Sequence, residues 1–438
     1  MVMEKLLFYS PEVSPRLRYI ASHLIVELLG WDLDFTCNYD EAISASIPLI
    51  NYSARPVPGA VNVCPAGLLE ENNITPQSPG IEFHEGMPVL FRSFATDDAG
   101  FDLFAASFFM ISRYEEYLPH TKDMHGRFPF RESLASAYGV AMEPLVELWA
   151  GQLRNNIKLK YPGVVFPDRQ FTFLPTIDID IPWAYRNRGL WRTCGGVARG
   201  LLRGELRETV FRARVLLNLE DDPYDTWPLI DQIHEQAGLS PLFFISAGTY
   251  SSFDKCVQGN NPEYRQLIGR ISGKYRTGAH PSYYSYLDGR LMKKEIGQLS
   301  DMTRMPVLRS RQHYLRLEMP VSYRLLAENG IREDYTMGWA ESPGFRAGTC
   351  TPFLFYDLMR ESVTPLRVIP FQIMDGSFRD YLDLDQGQSA SIARNIVQRI
   401  KDVKGTLVTL WHNQSFSEKG RWKGWQNVYT DIIKSAAG

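Results

Sequence analysis

The chain has 438 residues, of which 44% are hydrophobic and 22% are charged, and its formal net charge is −3. This length exceeds the size at which a single hydrophobic core usually stops growing, so two domains are expected. The ordinary composition and the slight negative charge argue against a polyanionic partner such as nucleic acid.

Residues 1–165 are predicted to form a smaller α/β domain. KLLFYS predicts a strand, and Ser14 and Pro15 predict the start of a helix whose apolar residues recur at helical spacing until Gly30. DLDFTCN and IPLINYS are further strand candidates, and helices are predicted around DLFAASFFMISRYEEYL and SLASAYGVAMEPLVELWAGQLRNNI. The segment KYPGVVFPDRQ, residues 160–170, carries Pro, Gly and charge and marks the boundary to a second domain at 166–438.

The second domain shows a regular alternation of strands and helices. Seven strands are predicted at FTFLPTID, PLFFISA, YRTGAH, MPVLRSRQH, EDYTMG, LRVIPFQIM and TLVTLWH, most of them separated by helical segments. Such alternation predicts parallel strands with crossover helices, in an open sheet or a closed barrel, and about 270 residues suit a barrel. A long insertion from Tyr185 to about Leu217, rich in arginine and containing CGG, separates the first two strands.

The remaining composition indicates where the chain resides. The five cysteines are scattered and include no Cys-x-x-Cys pair, which fits reduced thiols in a cytoplasm. The first residues lack the features of a signal peptide, and no run approaches the ~20 apolar residues of a membrane span. We therefore expect a cytoplasmic protein without a membrane span.

Polar residues stand at the ends of most predicted strands, where the loops of a parallel sheet or barrel converge. They are Asp178 and Asp180, His280, Arg309, Arg311 and His313, Asp334, and His412 and Asn413. Asp178 and Asp180 are two positions apart and project to the same face of a strand. Because two close carboxylates repel each other, a divalent cation between them is the simplest explanation, although capping of the next helix or pairing with Arg186 and Arg188 would also account for them.

Two histidines extend this predicted site. His280 in RTGAHPSYYS is a candidate metal ligand, since imidazole commonly joins carboxylate in such sites. His412, at the end of LVTLWHN, suits a general acid, although a core histidine is the alternative. Tyr283 and Tyr284 are expected to line a sugar cleft, although packing between helices explains them nearly as well, and Trp411 and Asp334 complete the predicted substrate-binding set.

The order of these residues resembles the polysaccharide deacetylases, carbohydrate esterases of the nodulation-factor deacetylase type. The resemblance covers residues 170 to 438 and rests on the acid pair, HPSYYS, RSRQHYLR, DYTMGW and LVTLWHN. It implies a distorted (β/α) barrel, and the first domain looks like the accessory region found in a bacterial branch of the superfamily.

The resemblance also implies roles for individual residues. Asp178 would be the general base, Asp180 and His280 metal ligands, and His412 the general acid. The arginine that orients the base would be Arg311, with Arg346 in GFRAGT as the alternative.

The chain departs from the family pattern at two places. The family has adjacent aspartates where this chain has Asp-Ile-Asp, so the roles of the two acids are exchangeable. Tyr284 stands where the family has its second histidine, and Ser282, Ser285 and His313 are the candidate substitutes for the third ligand.

The predicted function is that of a metal-dependent hydrolase, with zinc, or else cobalt or nickel, that removes an N-acetyl group from a sugar or glycan. One alternative is a catalytically silent member that binds glycan, which the missing histidine favours. Another is a glycosyltransferase or phosphohydrolase whose Asp-x-Asp holds a metal-bound nucleotide or phosphate, although no Gly-rich phosphate loop follows a strand.

Overall fold

The computed structural model describes residues 5–93 and 97–437, and for residues 190–192 it describes the backbone alone. The first elements are β1 (Lys5–Tyr9), α1 (Pro15–Ser22), β2 (Asp32–Thr36), α2 (Tyr39–Ile43), β3 (Leu49–Tyr52) and β4 (Val61–Val63). The four strands form a parallel sheet in the order β2-β1-β3-β4. As predicted, Ser14 caps α1 by accepting a hydrogen bond from the backbone of Leu17, and α1 continues as a π-helical turn over His23–Leu28.

A hairpin and three helices complete the first domain. They are β5 (Glu82–His84), β6 (Met87–Val89), α3 (Leu103–Ile111), α4 (Leu134–Ala137) and α5 (Leu145–Lys160). The sequence predicted one helix where α4 and α5 stand. The two helices are separate because Gly139 has a φ of 68° and Pro144 precedes α5, and both residues interrupt a helical backbone.

The second domain contains nine strands and eight helices within the described residues. In chain order they are β7 (Thr172–Ile179), α6 (Leu190–Leu202), α7 (Leu206–Leu216), α8 (Trp227–Gln236), β8 (Leu242–Ile245), α9 (Pro262–Lys274), β9 (Arg276–Ala279), α10 (Gly289–Thr303), β10 (Arg309–Ser310), α11 (Val321–Glu328), β11 (Glu333–Asp334), β12 (Phe353–Asp357), β13 (Ser362–Val368), β14 (Ile373–Met374), α12 (Gln386–Asp402), β15 (Thr406–His412) and α13 (Trp425–Ala437).

These strands form one sheet in the order β12-β13-β11-β10-β9-β8-β7-β15-β14. All neighbours are parallel except β12 and β13. The α/β class predicted from the alternating pattern is confirmed. The seven-stranded barrel is not confirmed, because the sheet has nine strands and its order runs from an edge at β12 to an edge at β14.

The two additional strands have local causes. The segment LRVIPFQIM was predicted as one strand, but Pro370 lacks a backbone N–H group, and the chain forms β13 before it and β14 after it. Strand β12 pairs with β13 as an antiparallel hairpin, which an alternation of strands and helices does not predict.

The two sheets are joined by a continuous apolar core and by buried ion pairs. Side chains from both domains, such as Trp149 and Phe345, belong to the same apolar cluster. Glu116 of the first domain accepts two hydrogen bonds from Arg346 of the second, at 2.9 and 2.8 Å. The division at residues 165 and 166 stays a prediction. None of the helices in the described ranges combines the length and apolar character that crossing a membrane requires.

Candidate metal centre and active site

The predicted polar residues converge at the carboxyl ends of neighbouring strands. Strand β7 lies between β15 and β8, and Asp178 is opposite His412 in the register of β7 and β15. The His412 Nε2 atom lies 3.5 Å from Asp180 Oδ2. Residues separated by more than 200 positions therefore meet at one edge of the sheet, as the strand-end argument predicted.

Three of these residues lie close enough together to bind one metal ion. Among the described residues, no other group of three or more His, Cys, Asp or Glu side chains has this spacing. The three residues are Asp180, His280 and His313, whose ligand atoms lie within 4.8 Å of one another. His280 Nε2 lies 3.1 Å from Asp180 Oδ1, and His313 Nε2 lies 3.5 Å from Asp180 Oδ2. The structure thus places His313 where the missing second-motif histidine was sought, although His313 follows a different strand, β10.

The hydrogen bonds of both imidazoles leave the Nε2 atoms directed at Asp180. His280 Nδ1 lies 2.7 Å from the carbonyl oxygen of Arg311, which can only accept, so Nδ1 is the donor. His313 Nδ1 likewise lies 2.8 Å from Asp254 Oδ1. Carbonyl and carboxylate partners of this kind hold metal-binding histidines in the required tautomer.

These residues fit a divalent cation. His280 Nε2 and Asp180 Oδ1 are buried and have no hydrogen-bond partner in the described structure, which is costly unless a ligand satisfies them. Two imidazole nitrogens and one carboxylate are a common catalytic zinc set, and cobalt or nickel accepts the same donors. Burial alone would raise the pKa of Asp180, but the imidazoles of His313 and His280 hold it well below its usual value, so the carboxylate is ionised.

The second aspartate of the pair has a different environment. Asp178 is buried, and its Oδ1 atom accepts a hydrogen bond of 2.7 Å from the Arg311 guanidinium. Arg311 is itself fixed by hydrogen bonds to the Thr176 hydroxyl and the Tyr335 carbonyl oxygen. The Oδ2 atom of Asp178 lies 3.8 Å from His280 Nε2, next to the predicted cation position. The structure therefore distinguishes the acids, with Asp180 among the histidines and Asp178 held by an arginine.

His412 is oriented by an aspartate that the sequence argument missed. Its backbone N–H donates to Asp375 Oδ2, and its Nδ1 lies 2.8 Å from Asp375 Oδ1. Burial alone would lower the pKa of His412, but the carboxylates of Asp375 and Asp180 outweigh this effect and raise the pKa to about 10. The two carboxylates thus favour the protonated imidazole, in which Nε2 carries an N–H group that can donate.

A strained backbone follows His313. Tyr314 and Leu315 have φ angles of 59° and 55°, in the left-handed region that residues other than glycine rarely adopt. Such conformations cost on the order of 1–3 kcal/mol each and cluster at functional sites. They turn the chain so that His313, Tyr314 and Leu315 all line the same cavity.

The cavity has a volume of about 280 Å³, close to the lower end of the ~300–1,000 Å³ range of small-molecule sites. Its floor contains Asp178, Asp180, His280, His313 and His412. Its walls include four aromatic residues and three basic residues, namely Phe253, Tyr314, Tyr381, Trp422, Arg127, Lys255 and Arg421. Arg127 belongs to the first domain and donates hydrogen bonds to Tyr314 O and Tyr381 Oη, so both domains form the cavity.

Two predicted residues take part in other contacts. Arg346 does not act on Asp178, because its guanidinium binds Glu116 and the Gly338 carbonyl oxygen. Of the two candidate arginines, Arg311 is the one that contacts Asp178. The Ser285 hydroxyl donates to Ser282 O and accepts from Gln312 Nε2, and Ser285 is absent from the cavity wall.

The four residues predicted to bind substrate do not line the cavity. Trp411 is buried against Tyr429 of α13, because strand alternation turns it away from the face that carries Leu410 and His412. Asp334 is buried and accepts hydrogen bonds from Thr336. The Tyr283 ring stacks on Phe253 with centroids 3.9 Å apart, and Tyr284 lies beside it, half exposed.

Several site residues lay outside the sequence prediction, among them Asp375, Asp254 and Arg127. Asp375 follows the strand segment LRVIPFQIM, so the strand-end rule could have identified it. Asp254 and Arg127 lie in irregular loops, where no periodic signal marks a position relative to the sheet.

Comparisons with known proteins match different parts of the chain. Residues 6–162 match a family model described as "Family of unknown function (DUF7033)". No curated protein matches the chain.

Several solved structures are similar to this fold. A putative polysaccharide deacetylase from Mycobacterium smegmatis has 15% identity and a TM-score of 0.41, with 63% of this chain and 87% of that chain covered. A probable polysaccharide deacetylase from Pseudomonas aeruginosa PAO1 has 12% identity and a TM-score of 0.39, with 63% and 86% covered. A mutant of a CE4 family pseudoenzyme with restored enzymatic activity has 9% identity and a TM-score of 0.30, with 60% and 63% covered. Similarities of this size do not define an activity for this chain.

Proposed function

We propose that this protein is a metal-dependent amide hydrolase that removes an N-acetyl group from a sugar or glycan. The observation that carries the proposal is the meeting of three kinds of group in one cavity. They are a carboxylate and two imidazoles with metal-ligand spacing, a carboxylate held by an arginine, and an imidazole held by an aspartate.

Each group has a distinct chemical task. Asp180, His280 and His313 would hold a divalent cation, which would supply a more acidic water and a positive charge to polarise the acyl group. Asp178 keeps Oδ2 free of the Arg311 contact and accepts the proton of the attacking water. His412 carries its proton at Nε2, facing the cavity, and donates it to the departing amine nitrogen.

The walls of the cavity support a sugar as the substrate. Aromatic rings lining a cleft offer apolar faces to a ligand, while the neighbouring polar groups fix its orientation. The rings of Phe253, Tyr314, Tyr381 and Trp422 surround the acid and histidine groups. Tyr314 adjoins His313 directly, so a ring stacked on it would lie beside the predicted cation.

The proposal is tested with the full chain loaded with zinc and incubated with an oligomer of N-acetylglucosamine. We expect acetate release that Asp178→Asn lowers by about 100- to 10,000-fold, the usual contribution of a general base. Asp288→Asn is the matched control, because Asp288 is exposed and caps α10, a role that asparagine also fills. Equal rates for Asp178→Asn and the unsubstituted chain would remove Asp178 from the mechanism.

The two alternatives are less consistent with the geometry. Tyr284 in place of a second histidine favoured a silent, glycan-binding protein, but His313 offers an imidazole at the metal-ligand group. A metal-bound nucleotide on Asp-x-Asp is less consistent because buried Arg311 engages Asp178, so only Asp180 of the pair lies among the imidazoles. Glycan binding without acetate release would nevertheless restore the silent alternative.

A further inference from the structure

The insertion after β7 differs in charge from the rest of the chain. Residues 186–219, here called the arginine hairpin, contain eight arginines and two glutamates, a net charge of +6 in a chain whose total is −3. The hairpin consists of α6 and α7, and the proposed hydrolase chemistry does not use it. A strongly basic segment in a mildly acidic protein indicates a local interaction with negative charge.

The two helices pack on each other through small residues. A Cβ atom added to Gly200 would overlap the Thr209 hydroxyl, and one added to Gly196 would overlap the Arg212 guanidinium. Gly196 and Gly200 therefore allow close approach of α7 to α6. Because the glycine face makes the contact between the helices, Leu201, Leu202, Leu206 and Leu217 remain exposed on the outside of the hairpin.

A stripe of apolar side chains along α7 faces solvent. Leu206, Val210, Ala213 and Leu217 follow the i, i+4, i+7, i+11 spacing of one helical face, and all four are exposed. Leu206, Val210 and Leu217 have exposed fractions of 62%, 59% and 69%. At the turn between the helices, Leu201 and Leu202 are 54% and 88% exposed, and they extend the stripe. Apolar surface of this extent usually marks an interaction site.

Six of the eight arginines fall into two groups. Arg186 donates hydrogen bonds to the Val215 carbonyl oxygen within the hairpin and to the Glu220 carbonyl oxygen directly after it, and Arg212 lies over the Tyr185 ring. Four others are exposed, namely Arg199, Arg203, Arg207 and Arg214. Arg207 and Arg214 each follow a residue of the apolar stripe directly, so they flank it, and long arginine stems can cover apolar surface while the charge reaches outward.

The charge decides among the possible occupants. A second copy of the hairpin would bring another charge of +6 against the first, so self-association through this face is opposed by repulsion. A lipid surface with anionic headgroups satisfies both features at once, since it offers apolar depth for the stripe and negative charge for the arginines at its rim.

We propose that the arginine hairpin binds the protein to the surface of a membrane that contains anionic lipids, with the apolar stripe inserted at the interface. The hairpin lies on the surface and does not span the bilayer. It also lies next to the catalytic cavity, since Arg421 lines both that cavity and the adjoining groove formed by Arg207, Glu208 and Phe211. The inference does not depend on the proposed hydrolase activity.

The full chain is tested by co-sedimentation with vesicles of phosphatidylcholine alone and of phosphatidylcholine and phosphatidylglycerol in equal parts. We expect binding to the anionic vesicles, weakened by added salt and much weaker on the neutral ones. The triple substitution Leu206→Ser, Val210→Ser, Leu217→Ser should lower the partition coefficient at least about tenfold, because each side chain loses its apolar burial in the interface. The triple substitution Arg199→Gln, Arg203→Gln, Arg207→Gln should lower it by a similar factor and reduce the dependence on salt.

A matched control replaces three exposed apolar residues elsewhere, with Leu159→Ser, Val165→Ser and Met359→Ser, and should bind as the unsubstituted chain does. The inference is overturned if anionic vesicles do not bind, or if neutral vesicles bind equally well. If light scattering shows a dimer that the Leu206, Val210 and Leu217 substitutions dissociate, the partner of the hairpin is a second copy of this chain and not a membrane. If the chain binds polyglutamate but not vesicles, the partner of the hairpin is an acidic polypeptide. If circular dichroism shows that the variant with the three apolar substitutions is misfolded, the variant with the three arginine substitutions still decides the outcome.

Discussion

The structure predicts that Asp254→Asn weakens metal binding although Asp254 is not itself one of the proposed ligands. Asp254 is buried, and its Oδ1 accepts hydrogen bonds from His313 Nδ1 at 2.8 Å and from the backbone N–H of Tyr283 at 2.9 Å. Its Oδ2 accepts from the Ser251 hydroxyl at 2.7 Å. Asparagine keeps the size of the side chain but removes the charge that makes the His313 imidazole a stronger donor to a cation.

The magnitude follows from the type of contact. Substitution of the residue that orients a metal-binding histidine typically lowers metal affinity about 10- to 100-fold, which corresponds to about 1.4–2.7 kcal/mol. The upper part of this range is expected because the carboxylate is buried and poorly screened. His313→Ala should have a larger effect, since it removes the ligand itself.

The assay is a titration of chelator-treated protein with zinc in competition with a chromophoric chelator. Asp288→Asn serves as the control for the chemical change, and circular dichroism checks that each variant is folded. Unchanged zinc affinity in a folded Asp254→Asn protein would mean that His313 does not bind the metal, and the assignment of Asp180, His280 and His313 as the ligand set would be wrong.

Two further predictions concern the contact between the domains. Burial alone would raise the pKa of Glu116, but the charges of Arg346 and Arg113 outweigh it and lower the pKa to about 2, against an ordinary value of 4.5. Because the pKa is lowered on folding, the ionised carboxylate stabilises the fold fully above pH 4.5, and this stabilisation is lost as the pH falls through about 2. Glu116→Gln should therefore lower the free energy of unfolding, measured in urea at pH 7, by about 3 kcal/mol. A difference between the two proteins that does not shrink toward pH 2 would contradict this account. Gly344 has a φ of 130°, and a Cβ atom there would overlap the carbonyl oxygen of Ala141, so Gly344→Ala should lower the thermal midpoint, whereas Gly163→Ala, in open space, should leave it nearly unchanged.

Much of the secondary structure could be predicted from local sequence. Strand β7 is mostly apolar and is buried over its last five residues, as expected for an interior strand of a parallel sheet, and α1 begins where Ser14 and Pro15 provide a cap and a preset φ angle. The prediction was wrong for LRVIPFQIM. Its apolar residues predict a single strand, but Pro370 separates two strands there.

The part of the candidate site that follows strand ends could be predicted from the sequence. Asp178, Asp180, His280, His313 and His412 were all identified by their position after a strand, and they meet because parallel strands open on one edge. Arg311 and Arg346 could not be distinguished by this rule. The choice between them depends on which guanidinium reaches Asp178, and that contact joins residues 133 positions apart.

The sequence by itself determined the α/β class, the acid pair on one face of a strand, and the arginine-rich insertion, because periodicity and charge are properties of neighbouring residues. Only the tertiary structure decided that His313 lies beside Asp180 and His280, that Asp254 and Asp375 contact Nδ1 of His313 and His412, and that Trp411 faces the helices. Those outcomes depend on the register of β7, β15 and β10 and on the path of the loops between them. A register or a loop path is set by packing across the whole sheet, so no short segment of the chain contains it.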